Sequence, residues 1–301
     1  MGRIRLLIIA LAALMYSLPI AATAQGRGIE AGKEAATWSA VGILQVRGGG
    51  WCSAALIGPS TVLTAAHCVY PDGKRELFDP ARMQFNAGWR DGLTAARRGV
   101  VRIVAHRDYD PRKPYDMPNI ASDLAIVELD EPIPADVAPF FPIADKIRSG
   151  APVSVVSFSG RRSDVASIND SCSVNSRDGD VMLLSCQSFP GMSGAPVFAD
   201  VGGRAQVVAL ISGSQIGHSG TNNGIALAIG APHARVMVDA RATAATPLSA
   251  LPYWTRRNPA AARQTPVATR RSITVNGKSG LSGLTGSGSA RKVIKPPKSS
   301  N

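Results

Sequence analysis

The sequence is poor in the side chains that bind transition metals, with four histidines and four cysteines in 301 residues. Apart from the adjacent His67 and Cys68, none of these residues stands at the two-to-four-residue spacing typical of zinc ligands. The sequence therefore argues against a zinc site, and we expect neither a metal ion nor a cofactor.

Long apolar segments are also lacking, except for one at the N-terminus. Residues 6–20 read LLIIALAALMYSLPI, follow Arg3 and Arg5, and precede the small residues of 22–24. This order is typical of a signal peptide, so we expect residues 1–24 to be removed and the chain to be secreted or periplasmic. The alternative is an uncleaved membrane anchor, for which the apolar stretch is short.

Acidic residues are missing after Asp239, whereas residues 241–301 contain 11 of the 33 basic ones. Two more basic residues lie in the signal segment, so the 20 left in residues 25–240 face 21 acidic residues. We therefore expect no specific nucleic-acid partner for the middle of the chain. The tail is low in large apolar residues and is expected to be disordered. It is either a contact for anionic surfaces or a solubilising extension.

Patterns typical of long helices or solenoid repeats are absent, and residues 25–240 instead contain many short β-rich stretches. Such stretches predict a barrel or a sandwich. A proline-rich connector divides them near 130–150, and residues 231–241 have the pattern of a short closing helix. The predicted strands cover residues 41–46, 53–57, 61–64, 99–105, 124–129, 153–158, 181–186, 195–198, 206–212 and 224–229.

The cysteine count is even, which in an exported chain predicts two disulfides. Cys52, Cys68, Cys172 and Cys186 allow three pairings. Sequence order favours Cys52–Cys68 and Cys172–Cys186, because each pair then encloses one local loop.

Three segments carry the candidate chemistry. Ser193 lies in SFPGMSGAPVF, which is either an ordinary Gly/Pro turn or a loop that presents a nucleophile. His67, in TVLTAAHCVY, follows a predicted strand beside a cysteine that can fix its position. Asp123, in SDLAIVEL, precedes an apolar strand and is therefore the best candidate for a buried carboxylate that orients a histidine. We interpret His106 and His233 as structural or surface residues, and His218, in GHSG, as either a loop residue or one at the edge of a substrate pocket.

The segments TAAHC, DLAIVEL and PGMSGAPV together resemble the chymotrypsin-like serine peptidases, in that family's order of His, Asp and Ser. The resemblance covers roughly residues 29–240 and implies two antiparallel six-stranded β-barrels. It implies that Ser193 attacks the scissile carbonyl of a protein or peptide substrate, that His67 is the base and that Asp123 orients His67. The N–H groups of Gly191 and Ser193 would form the oxyanion hole.

Further roles implied by the resemblance concern substrate binding. The segment ISGS resembles the strand that pairs with the substrate backbone, with Ser212 near Asp123 and Gly213 leaving the pocket wall open. Gln187 or Ser188 would lie near the base of the pocket for the substrate residue before the scissile bond. Neither is charged, so specificity for Arg or Lys is not expected. We expect a monomer.

The sequence departs from the vertebrate enzymes at Met192, where they carry an aspartate that pairs with a newly cut N-terminus. Methionine forms no ion pair, so that zymogen switch should be absent. The pattern Gly-x-Ser-Gly-x-Pro resembles the bacterial glutamyl endopeptidases, but Ile211 stands where their glutamate-reading histidine would be.

Two other interpretations remain open at the level of sequence. The segment GMSGA approximates the nucleophile elbow of α/β-hydrolases, but those enzymes have the order Ser, acid, His and need long helices. The second is a catalytically silent, secreted peptidase homologue that acts as a binding protein.

Overall fold

The structure is a computed structural model that describes residues 26–144, 147–216, 222–228 and 293–294. The predicted signal peptide, the closing helix at 231–241, His218, His233 and nearly all of the 241–301 tail lie outside the described residues. Among the residues that are described, no helix is long and apolar enough to cross a membrane.

The first half of the chain forms a closed antiparallel barrel of six strands. Its apolar positions point inward, and Leu44, Leu56, Leu63 and Phe85 are among its fully buried side chains. Its strands are β2 Val41–Val46, β3 Trp51–Gly58, β4 Thr61–Thr64, β5 Met83–Ala87, β6 Ala96–Ala105 and β7 Ala125–Leu129. They follow one another around the ring in the order β2, β3, β4, β7, β6 and β5.

The second half forms another ring of six antiparallel strands. These strands are β8 Pro152–Ser159, β9 Arg162–Asp178, β10 Val181–Gln187, β11 Pro196–Asp200, β12 Ala205–Ile216 and β13 Asn222–Ala228. Their order around the ring is β8, β9, β10, β13, β12 and β11. Two short strands extend it: β1 (Arg27–Gly28) pairs with β9, and β14 (Val293–Ile294) pairs with β12.

The predicted pair of six-stranded antiparallel barrels is confirmed, but β5 and β9 were absent from the predicted strands. Strand β9 is long and polar, and many of its side chains are exposed or half-buried. It forms because β8 and β10 pair with it on its two edges, which satisfies the backbone whatever the side chains are. A search for apolar stretches does not detect such a strand.

Aromatic packing joins the two barrels. Trp38 precedes the first barrel, Phe141 lies in the connection between the barrels, and Phe198 lies in β11 of the second. The Phe141 and Phe198 rings are 4.6 Å apart between centroids, and those of Trp38 and Phe198 are 5.0 Å apart. The contact fixes one barrel against the other, so that loops from both can meet in one cleft.

Helical structure in the described residues is short. The α-helices are α1 (Lys33–Thr37) and α2 (Met117–Ile120), and 3₁₀ turns cover Ala66–Val69 and Pro80–Arg82. The first 3₁₀ turn contains His67, and helix α2 lies just before Asp123 in the sequence.

Candidate active site

His67 is held rigidly at the end of strand β4. It lies in the 3₁₀ turn Ala66–Val69, directly after two fully buried alanines whose small size lets the turn pack closely. A disulfide joins Cys68 to Cys52 in strand β3, and Cys172 is joined to Cys186 in the second barrel. Both favoured pairings are therefore present.

Asp123 is fully buried and accepts three hydrogen bonds. The backbone N–H of His67 donates to Oδ1 at 2.9 Å, and the His67 Nδ1 lies 2.8 Å from Oδ2. The Ser212 hydroxyl also donates to Oδ2, at 2.5 Å. A neutral imidazole that donates through Nδ1–H keeps Nε2 as its acceptor, so this geometry prepares Nε2 to take up a proton.

Ser193 lies in a loop whose bends depend on two glycines. Gly191 has φ +89° and Gly194 has φ +75°, in the region that side chains rarely adopt. A Cβ at Gly191 would overlap the Trp51 ring, and one at Gly194 would overlap Thr64 Oγ1 and the Ser53 carbonyl. The loop of the second barrel is therefore packed directly on strands β3 and β4 of the first.

The backbone N–H groups of this loop divide into two sets. Those of Met192 and Gly194 donate within the protein, to Phe189 O and Ile211 O. Those of Gly191 and Ser193 donate to no acceptor in the described part of the chain. The two N–H groups expected in an oxyanion hole are therefore available to an incoming oxygen.

The peptide planes that carry these two N–H groups are anchored through their carbonyls. Gly160 N–H donates to Pro190 O at 2.7 Å, and Ala195 N–H donates to Met192 O at 2.9 Å. In a trans peptide the carbonyl and the next N–H point in opposite directions, so fixing each carbonyl aims the following N–H away from it. Donors that are fixed in advance need no reorganisation when charge develops.

Ser53 supports the loop and was not identified from the sequence. It is fully buried in β3; its N–H and its hydroxyl both donate to Gly191 O, at 3.1 and 2.8 Å, and its Oγ accepts from Phe158 N–H at 2.9 Å. Nothing in the local sequence indicates this role, because the partners lie 105 and 138 residues away.

Two polar atoms in the site are buried and have no hydrogen-bond partner among the described residues: His67 Nε2 and Ser193 Oγ. A hydrogen bond between Ser193 Oγ and His67 Nε2 is therefore not formed in this structure. Such bonds are often long in a free enzyme and tighten when substrate binds.

Of the residues expected to bind substrate, Ser212 and Gly213 lie beside this cluster, whereas Gln187 and Ser188 lie at the end of β10. Ser212 is fully buried and bonded to Asp123, and Gly213 follows it in β12. Gln187 is half-buried at the end of β10 and pairs with Asn223. Ser188 is buried, and its Oγ has no partner among the described residues.

Three uncharged residues converge near the end of β10. A Cβ placed on Gly224 would lie 3.6 Å from the Ile211 Cδ1 and 3.7 Å from the Ser188 Cβ. Ser188, one of the two sequence candidates for this region, therefore lies against Gly224 of β13.

The loop from His106 to Ser122 covers one side of Asp123. Arg75 holds the pKa of Asp110 at about 2, mainly through a side-chain hydrogen bond. Burial raises the pKa of Tyr109 and of Tyr115, so both phenols stay protonated. The Tyr115 hydroxyl donates to Ser212 Oγ at 3.0 Å, a contact that the sequence did not reveal.

Cys52, His67 and Cys68 form the one group among the described residues with enough potential ligand atoms in close proximity to be considered for a metal. Both cysteines are in the disulfide and provide no thiolate. The residues do not fit a metal ion.

Comparisons with known proteins agree with the fold. The chain matches the family model of the trypsin-like peptidase domain over residues 52–210. It is similar in structure to a Glu endopeptidase, with a TM-score of 0.60 and 20% identity over 72% of this chain and 97% of that one. A thermostable serine protease, AL20, from an extremophilic microorganism gives a TM-score of 0.55 and 18% identity, over 69% and 99% of the chains.

Similarity to a mouse protein is more local. The chain is 32% identical over 100 residues to the complement C1r subcomponent-like protein of Mus musculus. The matched segment is 32% of this chain and 19% of that relative's length. Because the family model covers more than half of the chain and the two-barrel fold agrees with it, the chain belongs to the trypsin-like peptidase family.

Proposed function

We propose that this protein is a secreted serine endopeptidase that hydrolyses peptide bonds through Ser193, His67 and Asp123. The observation that supports this most strongly is the pair of hydrogen bonds that join Asp123 to His67, one to the imidazole ring and one to the backbone N–H. It fixes the imidazole in the tautomer that leaves Nε2 free to act as a base.

In the proposed reaction, Ser193 Oγ attacks the scissile carbonyl while its proton moves to His67 Nε2. The carbonyl oxygen becomes negatively charged and accepts hydrogen bonds from Gly191 N–H and Ser193 N–H. Removing one oxyanion donor costs about 3–4 kcal/mol of transition-state stabilisation in a comparable enzyme. His67 then gives its proton to the leaving amine, and water hydrolyses the acyl-enzyme by the same steps in reverse.

Asp123 supports this cycle by stabilising the imidazolium that forms when His67 takes the proton. Its burial strengthens that interaction, because water that would screen the charge is excluded.

For specificity we propose an uncharged pocket formed by Ser188, Ile211 and Gly224. Nothing in this set would neutralise an Arg, Lys or Glu side chain, so the pocket suits small apolar or small polar residues. The solved structure named as a Glu endopeptidase supports the fold of this chain and not its substrate. The reason is that this chain has Ile211 where the glutamyl endopeptidases would carry their glutamate-reading histidine.

The N-terminal apolar segment and the two disulfides support export, since disulfides persist in oxidising compartments. The basic tail at 241–301 remains a proposed contact for anionic surfaces.

A cleavage assay tests the proposed function. The purified protein should hydrolyse a denatured protein substrate, and Ser193→Ala should abolish this hydrolysis without changing the thermal unfolding midpoint. A Ser193→Ala variant that remains as active as the wild type would place the chemistry elsewhere. A wild-type protein that is folded but does not hydrolyse any substrate would instead support the silent homologue.

A further inference from the structure

Tyr115 lies in a loop segment that is fixed on both sides. The next residue, Asp116, caps helix α2 by accepting Asn119 N–H at 3.1 Å. The buried Asn119 side chain in turn donates to Pro114 O at 3.3 Å and to Asp110 O at 3.1 Å. The backbone on which Tyr115 stands is therefore tied to the helix that leads into Asp123.

The Tyr115 hydroxyl begins a directed chain of hydrogen bonds. It donates to Ser212 Oγ at 3.0 Å, the Ser212 hydroxyl donates to Asp123 Oδ2 at 2.5 Å, and the same oxygen lies 2.8 Å from His67 Nδ1. A serine hydroxyl has one hydrogen. With Tyr115 donating to the Ser212 lone pair, that hydrogen is directed to Asp123.

Two physical properties suit Tyr115 to this position. Burial raises the pKa of its phenol, so it remains a donor at any working pH. A hydroxyl that accepts a hydrogen bond also becomes a stronger donor, because such chains polarise one another in a low-dielectric site. Tyr115 therefore strengthens the bond from Ser212 to Asp123.

The lack of a side chain at Gly213 is a second geometric observation that links Tyr115 to Ser212. A Cβ on Gly213 would overlap the Tyr115 hydroxyl and ring. The absence of a side chain at position 213 is what lets the phenol pack on the backbone of β12 and reach Ser212.

We infer that Tyr115 is a positioning residue that acts through Ser212 to hold Asp123, and with it His67, in the reactive arrangement. This inference rests on the proposed function. Because Tyr115 reaches the reaction through Ser212 and Asp123, it should affect the chemical step and leave substrate affinity unchanged.

The test is a double-mutant cycle on kcat and KM with Tyr115→Phe, Ser212→Ala and both together. Tyr115→Phe should lower kcat by about 2- to 10-fold, the size of one neutral hydrogen bond, with KM unchanged. In the Ser212→Ala background the same change should have almost no effect. Tyr70→Phe is the matched control, because it removes the hydroxyl of another half-buried tyrosine. The Tyr70 ring packs on Tyr109.

Equal loss of kcat in both backgrounds would overturn the inference, as would wild-type kcat in Tyr115→Phe or an effect on KM alone. The rate at which a phosphonofluoridate labels Ser193 gives a second measure that does not depend on the folded fraction. A wild-type protein without Ser193-dependent hydrolysis would refute the proposed function itself. That result differs from an active enzyme that is indifferent to Tyr115→Phe.

Discussion

Asp123 binds His67 at two points: Oδ2 lies 2.8 Å from the ring Nδ1, and Oδ1 accepts the backbone N–H at 2.9 Å. The second bond fixes the carboxylate to the turn that carries the ring, so the two side chains cannot rotate independently. Conversion to an amide would disturb both bonds.

Asp123→Asn should therefore lower kcat by about 10³- to 10⁴-fold, because an amide can donate to Nδ1 and would stabilise the wrong imidazole tautomer. Steady-state kinetics on a peptide substrate measures the effect. Asp108→Asn is the control, since the Asp108 side chain is 65% exposed and lies in the loop after β6. Similar losses in both variants would show that Asp123 has no special role.

The contact of Gly194 with the first barrel predicts a loss of stability on substitution. Gly194→Ala should lower the free energy of unfolding by about 3 kcal/mol or more, because a positive φ and a steric overlap add together. Gly202→Ala shares the positive φ but has no neighbour within 4 Å of the added Cβ, and should cost about 1–2 kcal/mol. Equal costs in urea unfolding would contradict the packing of the Ser193 loop on β3 and β4.

Removing either disulfide should lower the free energy of unfolding by a similar amount, but the two removals should differ in their effect on kcat. The two disulfides close loops of similar length, with sequence separations of 16 and 14, so removing either should cost about 3 kcal/mol. Cys52→Ala with Cys68→Ala should also lower kcat strongly, because Cys68 adjoins His67. Cys172→Ala with Cys186→Ala provides the matched comparison. The prediction is wrong if the second pair reduces kcat as much as the first, measured where both variants are folded.

The uncharged pocket that we propose predicts cleavage after small apolar or small polar residues. A peptide library with the wild-type enzyme gives the profile. Gly224→Ala should shift that profile to smaller residues, because the added methyl makes ordinary contacts at 3.6–3.7 Å and narrows the pocket without strain. Preferred cleavage after Arg or Lys would contradict the assignment of Ser188, Ile211 and Gly224.

The sequence predicted the elements whose signal is local. Strands such as β4 and β7 combine apolar residues with turn residues at their ends, and the cysteine pairs enclose short loops. Strand β9 escaped prediction because its stability comes from β8 and β10 on its two edges and not from apolar side chains.

The residues of the candidate site also divide into those that have a local sequence signal and those that have none. His67, Asp123 and Ser193 stand in short motifs that can be read one at a time. Tyr115 and Ser53 contact the site through partners 97 and more than 100 residues away, and neither has a local pattern. Only the folded chain shows that a phenol donates to Ser212 or that a serine in β3 holds the Gly191 carbonyl.

The most direct test of the central claim is active-site titration with a phosphonofluoridate on the folded protein. The account predicts one covalent label per molecule, mapped by mass spectrometry to Ser193, and no label in Ser193→Ala. An unlabelled Ser193 in folded protein, or a label on another residue, would contradict it.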